Sequence, residues 1–356
     1  MTRIRSQLLN IIPMKVSQFD YHLPKALIAQ QPARPRDSSR LFVYNRKAKT
    51  EQHDRFINLI KYLRADDVLV FNNTKVFPAR LWARRETGGR NEVFLLRSVK
   101  SNTWEVLIGG KVRKLGLCLF FGNELECRVV KQLDDGMWHV RFNVTPKQVL
   151  AIADKIGSTP TPPYIKKHAR RSDYQTVYAK KTGSVAAPTA GFHFTKRLFQ
   201  KLKKQGVQFE YITLHVGYGT FQPVKVSNVK DHKIHSEYAE VDESTAKRLI
   251  MAKKQGRRII AVGTTTVRTL ETVFNTPRSR DIGYSGGFKG WINTFIYPGY
   301  KFKFVDAIIT NFHLPQSTLL MLISAFAGRT KILKLYNTAV RRKYRFYSFG
   351  DGMLLQ

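Results

Sequence analysis

Cysteine is almost absent from this 356-residue sequence, which contains only Cys118 and Cys127. Two cysteines are too few for a disulfide scaffold or a cysteine-rich zinc site, and we expect a reducing, cytoplasmic setting. Long apolar runs are also absent, since none approaches the roughly 20 residues that cross a bilayer. Residues 1–13 lack the apolar core and cleavage site of a secretion signal. Because Met14 begins a more conventional start, we expect residues 1–13 to be an N-terminal extension.

Two common signatures of nucleotide binding are missing as well. The sequence has no GxGxxG after a first strand and no GxxxxGK followed by Ser or Thr. It therefore lacks support for the two commonest kinds of nucleotide binding.

Acidic residues are scarce, because 25 Asp and Glu stand against 61 Lys and Arg, a formal net charge of +36. A field of this sign attracts polyanions such as nucleic acid and makes their binding salt-dependent. A compositional drift toward lysine explains the same numbers without any partner. Net charge does not decide between the two interpretations, because it bears on association and not on fold.

Helical and strand-like patterns alternate along most of the chain. The helix-to-strand units are a helix after Thr195 with Val207–Val216, Ser244–Gln255 with Ile259–Val262, and Asp54–Arg64 with Val68–Phe71. This alternation is typical of an α/β fold, and we predict a mostly parallel sheet flanked by helices.

Between residues 79 and 144 the pattern changes to short runs rich in β-branched and aromatic residues, separated by turns such as Gly88-Gly89. Five or six strands at this spacing form a small closed barrel or sandwich, and we predict a small all-β barrel. Since α/β patterns lie on both sides, the barrel is an insertion. We expect a barrel domain at 76–154 inside a discontinuous α/β catalytic domain formed by 14–75 and 155–356.

Three segments of low charge place a histidine beside glycine, proline or small residues: Thr213–Val224, Thr310–Pro315 and Gly183–Phe194. In an α/β protein such segments follow strand ends, where loops converge on one crevice. A single histidine more often serves only as a donor to backbone carbonyls. However, five of the nine histidines fall between His193 and His313. We therefore predict an enzyme with its chemistry in the second half of the chain.

The segment Gly263–Arg268 (GTTTVR) follows a strand and opens a helix. Its threonines and free N–H groups suit a phosphate, a carboxylate or ribose hydroxyls, and Arg268 can hold a carboxylate in a fork. By spacing alone, His232, His235 and Glu237 resemble metal ligands. No third histidine or cysteine at helical spacing completes a zinc shell, so we expect no metal.

A series of blocks from near Met14 to the C-terminus resembles the S-adenosylmethionine:tRNA ribosyltransferase-isomerase family of queuosine biosynthesis. The blocks are VFNNTKVFPARL (70–81), PTPPYI (160–165), YQTVYA (174–179), VAAPTAGFHF (185–194), TLHVGYGTFQPV (213–224), HSEYAEV (235–241), AVGTTTVRTLE (261–271), FIYPGY (295–300), DAIITNFHLPQSTLLMLISAFAG (306–328) and YRFYSFGDGM (344–353). Their number and order make the resemblance highly specific. Mild departures are Tyr218 where a small residue is common, Phe192 where leucine is usual, and Gly352. We expect Tyr218 to narrow the crevice.

The resemblance implies a transferase that uses S-adenosylmethionine as a co-substrate. The family moves the ribosyl group, not the methyl group, to the 7-aminomethyl-7-deazaguanine base at the tRNA wobble position. The product is epoxyqueuosine-tRNA, and adenine and methionine leave. The resemblance implies neither a metal nor a permanently bound cofactor, and tRNA is the expected macromolecular partner.

Residue roles follow from the resemblance as hypotheses. His215 or His313 acts as the general base, since imidazole titrates near neutrality, and Glu237 or Asp306 orients the histidine or holds the sulfonium charge. An aspartate that opens a buried strand can equally be only a cap, which is the structural alternative for Asp306. The expected S-adenosylmethionine contacts are Thr264, Thr265, Thr266, Arg268, Gly217, Gly219 and Asn311. The expected contacts to the tRNA base are Thr189, His193 and His235.

Two other classes of protein remain open. One is a non-catalytic tRNA- or RNA-binding protein, in which the histidine segments serve as structure. The other is a carbohydrate or nucleotide-sugar enzyme on a similar frame. A rise in melting temperature with S-adenosylmethionine separates the proposed enzyme from both. Without a heptad pattern or a long apolar edge, we expect a monomer.

Overall fold

The computed structural model describes residues 13–110, 115–133, 136–160, 162, 164–165, 170–217, 219, 223–275 and 286–356. Two expectations from the sequence lie outside the described residues. They are residues 1–12 of the N-terminal extension and the effect of Tyr218 on the crevice. Among the helices in these ranges, every one is too short or too polar to span a membrane.

The described strands and helices follow the chain in this order. The strands are β1 (Arg40–Asn45), β2 (Thr50–Arg55), β3 (Val68–Asn72), β4 (Thr74–Val76), β5 (Arg80–Arg84), β6 (Arg90–Lys100), β7 (Thr103–Ile108), β8 (Cys118–Phe121), β9 (Leu125–Gln132), β10 (Met137–Phe142), β11 (Lys181–Ser184), β12 (Gln208–His215), β13 (Glu237–Val241), β14 (Ile259–Val262), β15 (Phe288–Ile292), β16 (Ala307–Asn311) and β17 (Gly352–Leu355). The α-helices are α1 (Pro146–Ile156), α2 (Lys196–Lys204), α3 (Glu243–Lys254), α4 (Thr264–Val273), α5 (Thr318–Ala327) and α6 (Arg329–Arg341). Short 3₁₀ helices lie at Val16–Phe19, Lys25–Leu27, Arg36–Ser38, Phe56–Tyr62, Arg171–Tyr174, Thr189–His193 and Val229–Asp231.

Within the described residues, nine strands form one sheet in the order β15-β13-β12-β3-β14-β16-β17-β1-β2. The four central strands β12, β3, β14 and β16 are parallel. Antiparallel pairs such as β12–β13 and β16–β17 flank them, so the sheet as a whole is mixed. The predicted α/β sheet with flanking helices is confirmed, and the parallel centre places the carboxyl ends of four strands at one edge.

The two faces of this sheet pack against different helices. In β3, Val68 and Val70 contact the core formed with α3 to α6, whereas Leu69 and Phe71 contact the core formed with α2 and Phe56–Tyr62. This alternation follows from the two-residue period of a strand. Both faces of the central strands are therefore buried, as their continuous apolar runs predict.

Local signals place the helix boundaries. Thr195 caps α2, because its Oγ1 accepts a hydrogen bond from the Leu198 N–H at 3.3 Å. The cap of α3 is Asp242, which accepts from the Thr245 N–H at 2.8 Å. The helix predicted at Asp54–Arg64 is wrong, because β2 pairs with β1 up to Arg55 and only a 3₁₀ helix follows.

Residues 80–142 contain the predicted barrel, which is closed, antiparallel and built from six described strands in the order β10-β7-β6-β5-β8-β9. Inward-facing residues such as Val93, Leu95 and Val106 form its core. Helix α1 begins with a capping box on Thr145 and packs Val149 and Ala153 against this core. The predicted boundary at 154/155 thus falls inside α1.

Candidate functional site

A cleft of about 790 Å³ lies between the barrel and the edge where the parallel strands end. We call it the main cleft. Its sheet side consists of Thr182, Gly183, His215, Val216, Gly217, Gly219, His235, Ser236, Glu237, Tyr238 and Trp291. Its opposite side consists of Phe77, Leu96, Arg97, Ser98, Trp104, Glu105, Leu107 and Met137, with Pro146 and Leu150 from α1. The cleft is therefore mostly apolar on the barrel side and polar on the sheet side.

His215 is the last residue of β12 and reaches into the main cleft. Its Nδ1 lies 2.8 Å from the Thr74 Oγ1, and that hydroxyl donates to the Lys181 carbonyl at 3.4 Å. Since a hydroxyl has one proton, Thr74 accepts from the Nδ1–H of His215, which leaves the lone pair on Nε2. The imidazole is thus held in the tautomer that accepts a proton at Nε2.

Burial favours the neutral form of His215. It lowers the pKa of the imidazole below the ordinary value, the Glu240 carboxylate acts in the opposite direction, and the Lys181 ammonium makes a smaller lowering contribution. Gly183 makes this placement possible, because a Cβ at that position, where φ is +153°, would lie 2.7 Å from Cε1 of His215. A side chain at residue 183 would therefore push the ring out of position.

Glu237 and Arg268 form a buried ion pair beside His215, with side chains 4% and 8% exposed. The Glu237 Oε1 accepts from the Gly217 N–H at 3.1 Å, so the pair also fixes the backbone after His215. Arg268 Nε donates to the Thr294 carbonyl at 3.1 Å, whereas its buried Nη2 has no hydrogen-bond partner within the described residues. This buried N–H group is available to donate to an anionic ligand.

Arg268 and Glu237 also line a smaller cavity of about 40 Å³, which we call the arginine pocket. It shares Gly219, His235 and Glu237 with the main cleft. A Cβ at Gly219 would lie 2.2 Å from the His235 ring, so glycine is required there for the close approach. The main cleft and the arginine pocket therefore meet at three predicted residues, Gly219, His235 and Glu237. The predicted Gly217 lies next to them, because its N–H binds Glu237.

A third cavity of about 80 Å³, the threonine pocket, meets the main cleft at Val216. The predicted residues on its wall are Thr189, Thr264, Thr265, Asn311 and His313. The Oγ1 of Thr265 is buried there without a partner among the described atoms. Thr266 was predicted to contact the ligand, but it is fully buried and its Oγ1 donates to the Val262 carbonyl at 2.8 Å. Two of the three threonines therefore face the pocket.

His313 lines the threonine pocket but is embedded in hydrogen bonds of its own. Its carbonyl accepts from the Tyr21 hydroxyl at 2.5 Å, its N–H donates to the Tyr336 hydroxyl at 3.0 Å, and its Nε2 lies 3.0 Å from the Thr310 Oγ1. Burial lowers its pKa to about 3. His313 is therefore a neutral and very weak base.

His193 lies beneath Asn311 and is buried. His193 was expected in a loop that contacts the target base, but it is 4% exposed and stacks on Phe56 at 4.6 Å. Its Nδ1 lies 2.7 Å from the Ser39 Oγ and its Nε2 lies 3.3 Å from the Asn311 Oδ1, and burial lowers its pKa to about 4. His193 thus orients Asn311 from below, and Asn311 also donates to the Tyr347 carbonyl at 2.8 Å.

Asp306 is separated from the other candidates. It directly precedes β16, at the edge where the parallel strands begin, whereas the cavities lie where they end. Its carboxylate accepts from Lys253 Nζ at 2.7 Å and from the Ile259 N–H at 2.8 Å. The structure thus places Asp306 away from the three cavities, where its side chain ties α3 to the start of β14.

Sequence reasoning missed Thr74 and the barrel wall of the cleft. Thr74 is buried in β4 after a short Asn-Asn turn, and no local pattern indicates that it meets His215, which is far away in sequence. Trp104 and Trp291 line the cleft from the barrel and from β15, respectively. In the part of the chain that the structure describes, no three His, Cys, Asp or Glu side chains cluster as a metal site.

Comparison with known proteins gives one consistent result. The sequence model of the family described as "Queuosine biosynthesis protein" matches residues 16–355. An S-adenosylmethionine:tRNA ribosyltransferase-isomerase of Thermosipho melanesiensis is 50% identical over 344 residues, covering 96% of this chain and 100% of that protein. One of the same name from Aquifex aeolicus is 49% identical over 345 residues, with the same coverage of both chains. A crystal structure of S-adenosylmethionine tRNA ribosyltransferase from Thermotoga maritima matches with a TM-score of 0.56 and 37% identity, over 96% of this chain and 100% of that chain.

Proposed function

The chain belongs to the S-adenosylmethionine:tRNA ribosyltransferase-isomerase family of queuosine biosynthesis and is a transferase, and we propose that it acts on tRNA with S-adenosylmethionine as co-substrate. In this reaction the ribosyl group is transferred to the 7-aminomethyl-7-deazaguanine base at the wobble position and isomerised. Epoxyqueuosine-tRNA forms, and adenine and methionine are released.

The observation that carries this proposal is that both small pockets open onto the main cleft beside His215, the arginine pocket at Glu237 and the threonine pocket at Val216. S-adenosylmethionine has a carboxylate, a sulfonium cation and ribose hydroxyls. The free Nη2 of Arg268 suits the carboxylate, and the Glu237 carboxylate suits a nearby positive charge. The hydroxyls of Thr264 and Thr265, at the start of α4, suit ribose oxygens. The neutral imidazole of His215 lies beside these groups.

We assign His215 as the general base that takes a proton from the carbon next to the sulfonium. Its unprotonated Nε2 and its place in the main cleft support this role. His313 is less suited, because a group with a pKa of about 3 accepts protons poorly at neutral pH. His215→Ala is expected to reduce adenine release more than tenfold (about 1.4 kcal/mol). If His215→Ala kept release within that factor while His313→Ala did not, the assignment would be reversed.

Adenine release from S-adenosylmethionine, with and without tRNA carrying the 7-aminomethyl base, tests the reaction itself. Release that requires the modified tRNA is the expected result. Release without tRNA would indicate hydrolysis instead of transfer. Binding of tRNA without release, and without stabilisation by S-adenosylmethionine, would favour the non-catalytic RNA-binding protein.

We further propose that the barrel is an inserted domain, with 14–75 and 155–356 forming the catalytic domain around it. The closed barrel core supports an insertion that begins near residue 76. The packing of Val149 and Ala153 on that core supports moving its end from 154 to the end of α1. Limited proteolysis is expected to cut between α1 and β11 before it cuts within either domain. The monomeric state and the cytoplasmic setting stay predictions.

A further inference from the structure

A row of four side chains crosses the main cleft from its outer end to His215. The Arg97 guanidinium lies 4.5 Å from the centre of the Trp291 ring. Trp291 meets Tyr238 with ring centres 5.4 Å apart, and Tyr238 lies parallel to His215 at 6.4 Å with 12° between the planes. All four residues line the main cleft.

Strand register produces this row. His215 on β12 stands opposite Tyr238 on β13, and Tyr238 stands opposite Trp291 on β15. Residues directly opposite one another on adjacent strands share a face of the sheet and contact each other. Three rings on one face therefore extend from the end of β12 to the edge strand.

The outer end of the row is accessible to solvent. Trp291 is 50% exposed even with Arg97 over its ring, although large aromatic side chains are usually well buried. Arg97 lies over the ring and also binds the Glu105 carboxylate at 2.7 Å, and Lys289, two residues from Trp291 on β15, is exposed. An exposed ring beside a guanidinium suits an unpaired nucleotide, because the ring stacks on its base and the guanidinium adds a cation–π contact.

We propose that Trp291 is a stacking platform for an unpaired nucleobase of the RNA substrate, with Arg97 beside it at the entrance of the main cleft. This inference rests on the proposed function and specifies how the tRNA enters. The inner end of the cleft adjoins the arginine and threonine pockets, where S-adenosylmethionine is expected, so the base of a large polymer approaches from the exposed end. The row then guides that base toward His215.

Trp291→Leu, which removes the ring, and Trp291→Phe, which keeps one, test the platform. Trp82→Leu is the matched control, since Trp82 is 53% exposed with Arg90 5.3 Å from its ring, but lies on the outer face of the barrel. Affinity for tRNA carrying the 7-aminomethyl base is measured by direct binding, and S-adenosylmethionine affinity by calorimetry. Circular dichroism establishes that each variant is folded.

We expect Trp291→Leu to weaken tRNA binding about tenfold, given roughly 1–3 kcal/mol per stacked base, with Trp291→Phe much closer to the wild type. Trp82→Leu leaves tRNA binding unchanged, and no variant changes S-adenosylmethionine affinity. Unchanged tRNA affinity in Trp291→Leu overturns the proposal. So does an equal loss of S-adenosylmethionine affinity, which would place the adenosyl group on the ring. Because tRNA binding is measured without turnover, absence of adenine release in the wild type would refute the proposed function separately.

Discussion

Two ion pairs between an arginine and a buried carboxylate lie at opposite edges of the central sheet. Arg258 and Asp67 stand where β14 and β3 begin, and every guanidinium nitrogen of Arg258 is hydrogen-bonded. Asp67 binds it with two contacts of 2.8 and 2.6 Å. Arg268 and Glu237 lie at the edge where the parallel strands end, and there Arg268 Nη2 has no partner within the described residues.

The difference separates a structural pair from a binding pair. In the saturated pair, Arg258 with Asp67, every guanidinium nitrogen is already hydrogen-bonded, so no donor is left for a ligand. An incompletely bonded pair costs stability on its own, since a buried donor without a partner is unfavourable, and a ligand carboxylate removes that cost. Arg258 with Asp67 and Asp306 with Lys253 therefore hold the fold at the beginning edge, and Arg268 at the other edge has a donor available for a ligand.

Breaking the saturated pair is expected to have the largest effect. Asp67→Ala leaves the Arg258 charge without its buried partner and lowers the free energy of unfolding by about 3–5 kcal/mol. Urea denaturation measures this loss, and the S-adenosylmethionine affinity of the folded protein stays unchanged. Asp173→Ala removes the exposed pair with Arg34 and serves as the control, with an expected loss below about 1 kcal/mol. A small loss in Asp67→Ala would contradict the structural assignment.

Acid pH is expected to destabilise the protein through buried histidines near the cavities. The folded-state pKa of His313 is about 3, so between about pH 6.5 and 3 the unfolded chain binds a proton that the folded protein does not. The free energy of unfolding therefore falls as the pH decreases through this window, by about 2 kcal/mol between pH 6.5 and 4.5 for this residue. His313→Gln removes that part of the decrease in denaturation curves recorded at each pH. An identical pH dependence in the variant would argue against a buried neutral His313.

Replacing the incompletely bonded arginine tests the binding pair. Arg268→Lys keeps the charge but loses the second N–H group, and it is expected to weaken S-adenosylmethionine binding by about 10- to 100-fold, in line with roughly 1.5–3 kcal/mol for a hydrogen bond to a charged group. Calorimetric titration gives the dissociation constant. Arg258→Lys is the matched control, and it is expected to lower the stability of the protein without weakening S-adenosylmethionine binding. Equal effects of both variants on binding would remove the distinction between the two pairs.

The smallest expected effect comes from the residue that orients His215. Thr74→Val removes the hydroxyl at nearly constant volume, and we expect kcat to fall about three- to tenfold, as for one lost neutral hydrogen bond. The KM for S-adenosylmethionine stays the same, because Thr74 orients the base and is not expected to contact the ligand. Thr74→Ser restores kcat by restoring the hydroxyl. A change in KM alone, or no recovery with serine, would mean that Thr74 has only a packing role.

The sequence by itself determined the features that depend on near neighbours along the chain. The cap at Thr195, the strand Ile259–Val262 followed by the threonine-rich helix start, and the short strands of the barrel all follow from local patterns. These patterns are readable because caps, turns and side-chain periodicity act over a few residues.

Only the tertiary structure decided which predicted residues share a site. It joined Glu237 to Arg268 and Thr74 to His215, buried His193 beneath Asn311, and placed Asp306 at the opposite edge of the sheet. Such contacts depend on which strands are neighbours and in which direction they run. Strand β16 ends at the site with Asn311, and Asp306 directly precedes its first residue. Only the sheet shows that the two ends have different roles, because its parallel centre gathers the strand ends at one edge and the strand starts at the other.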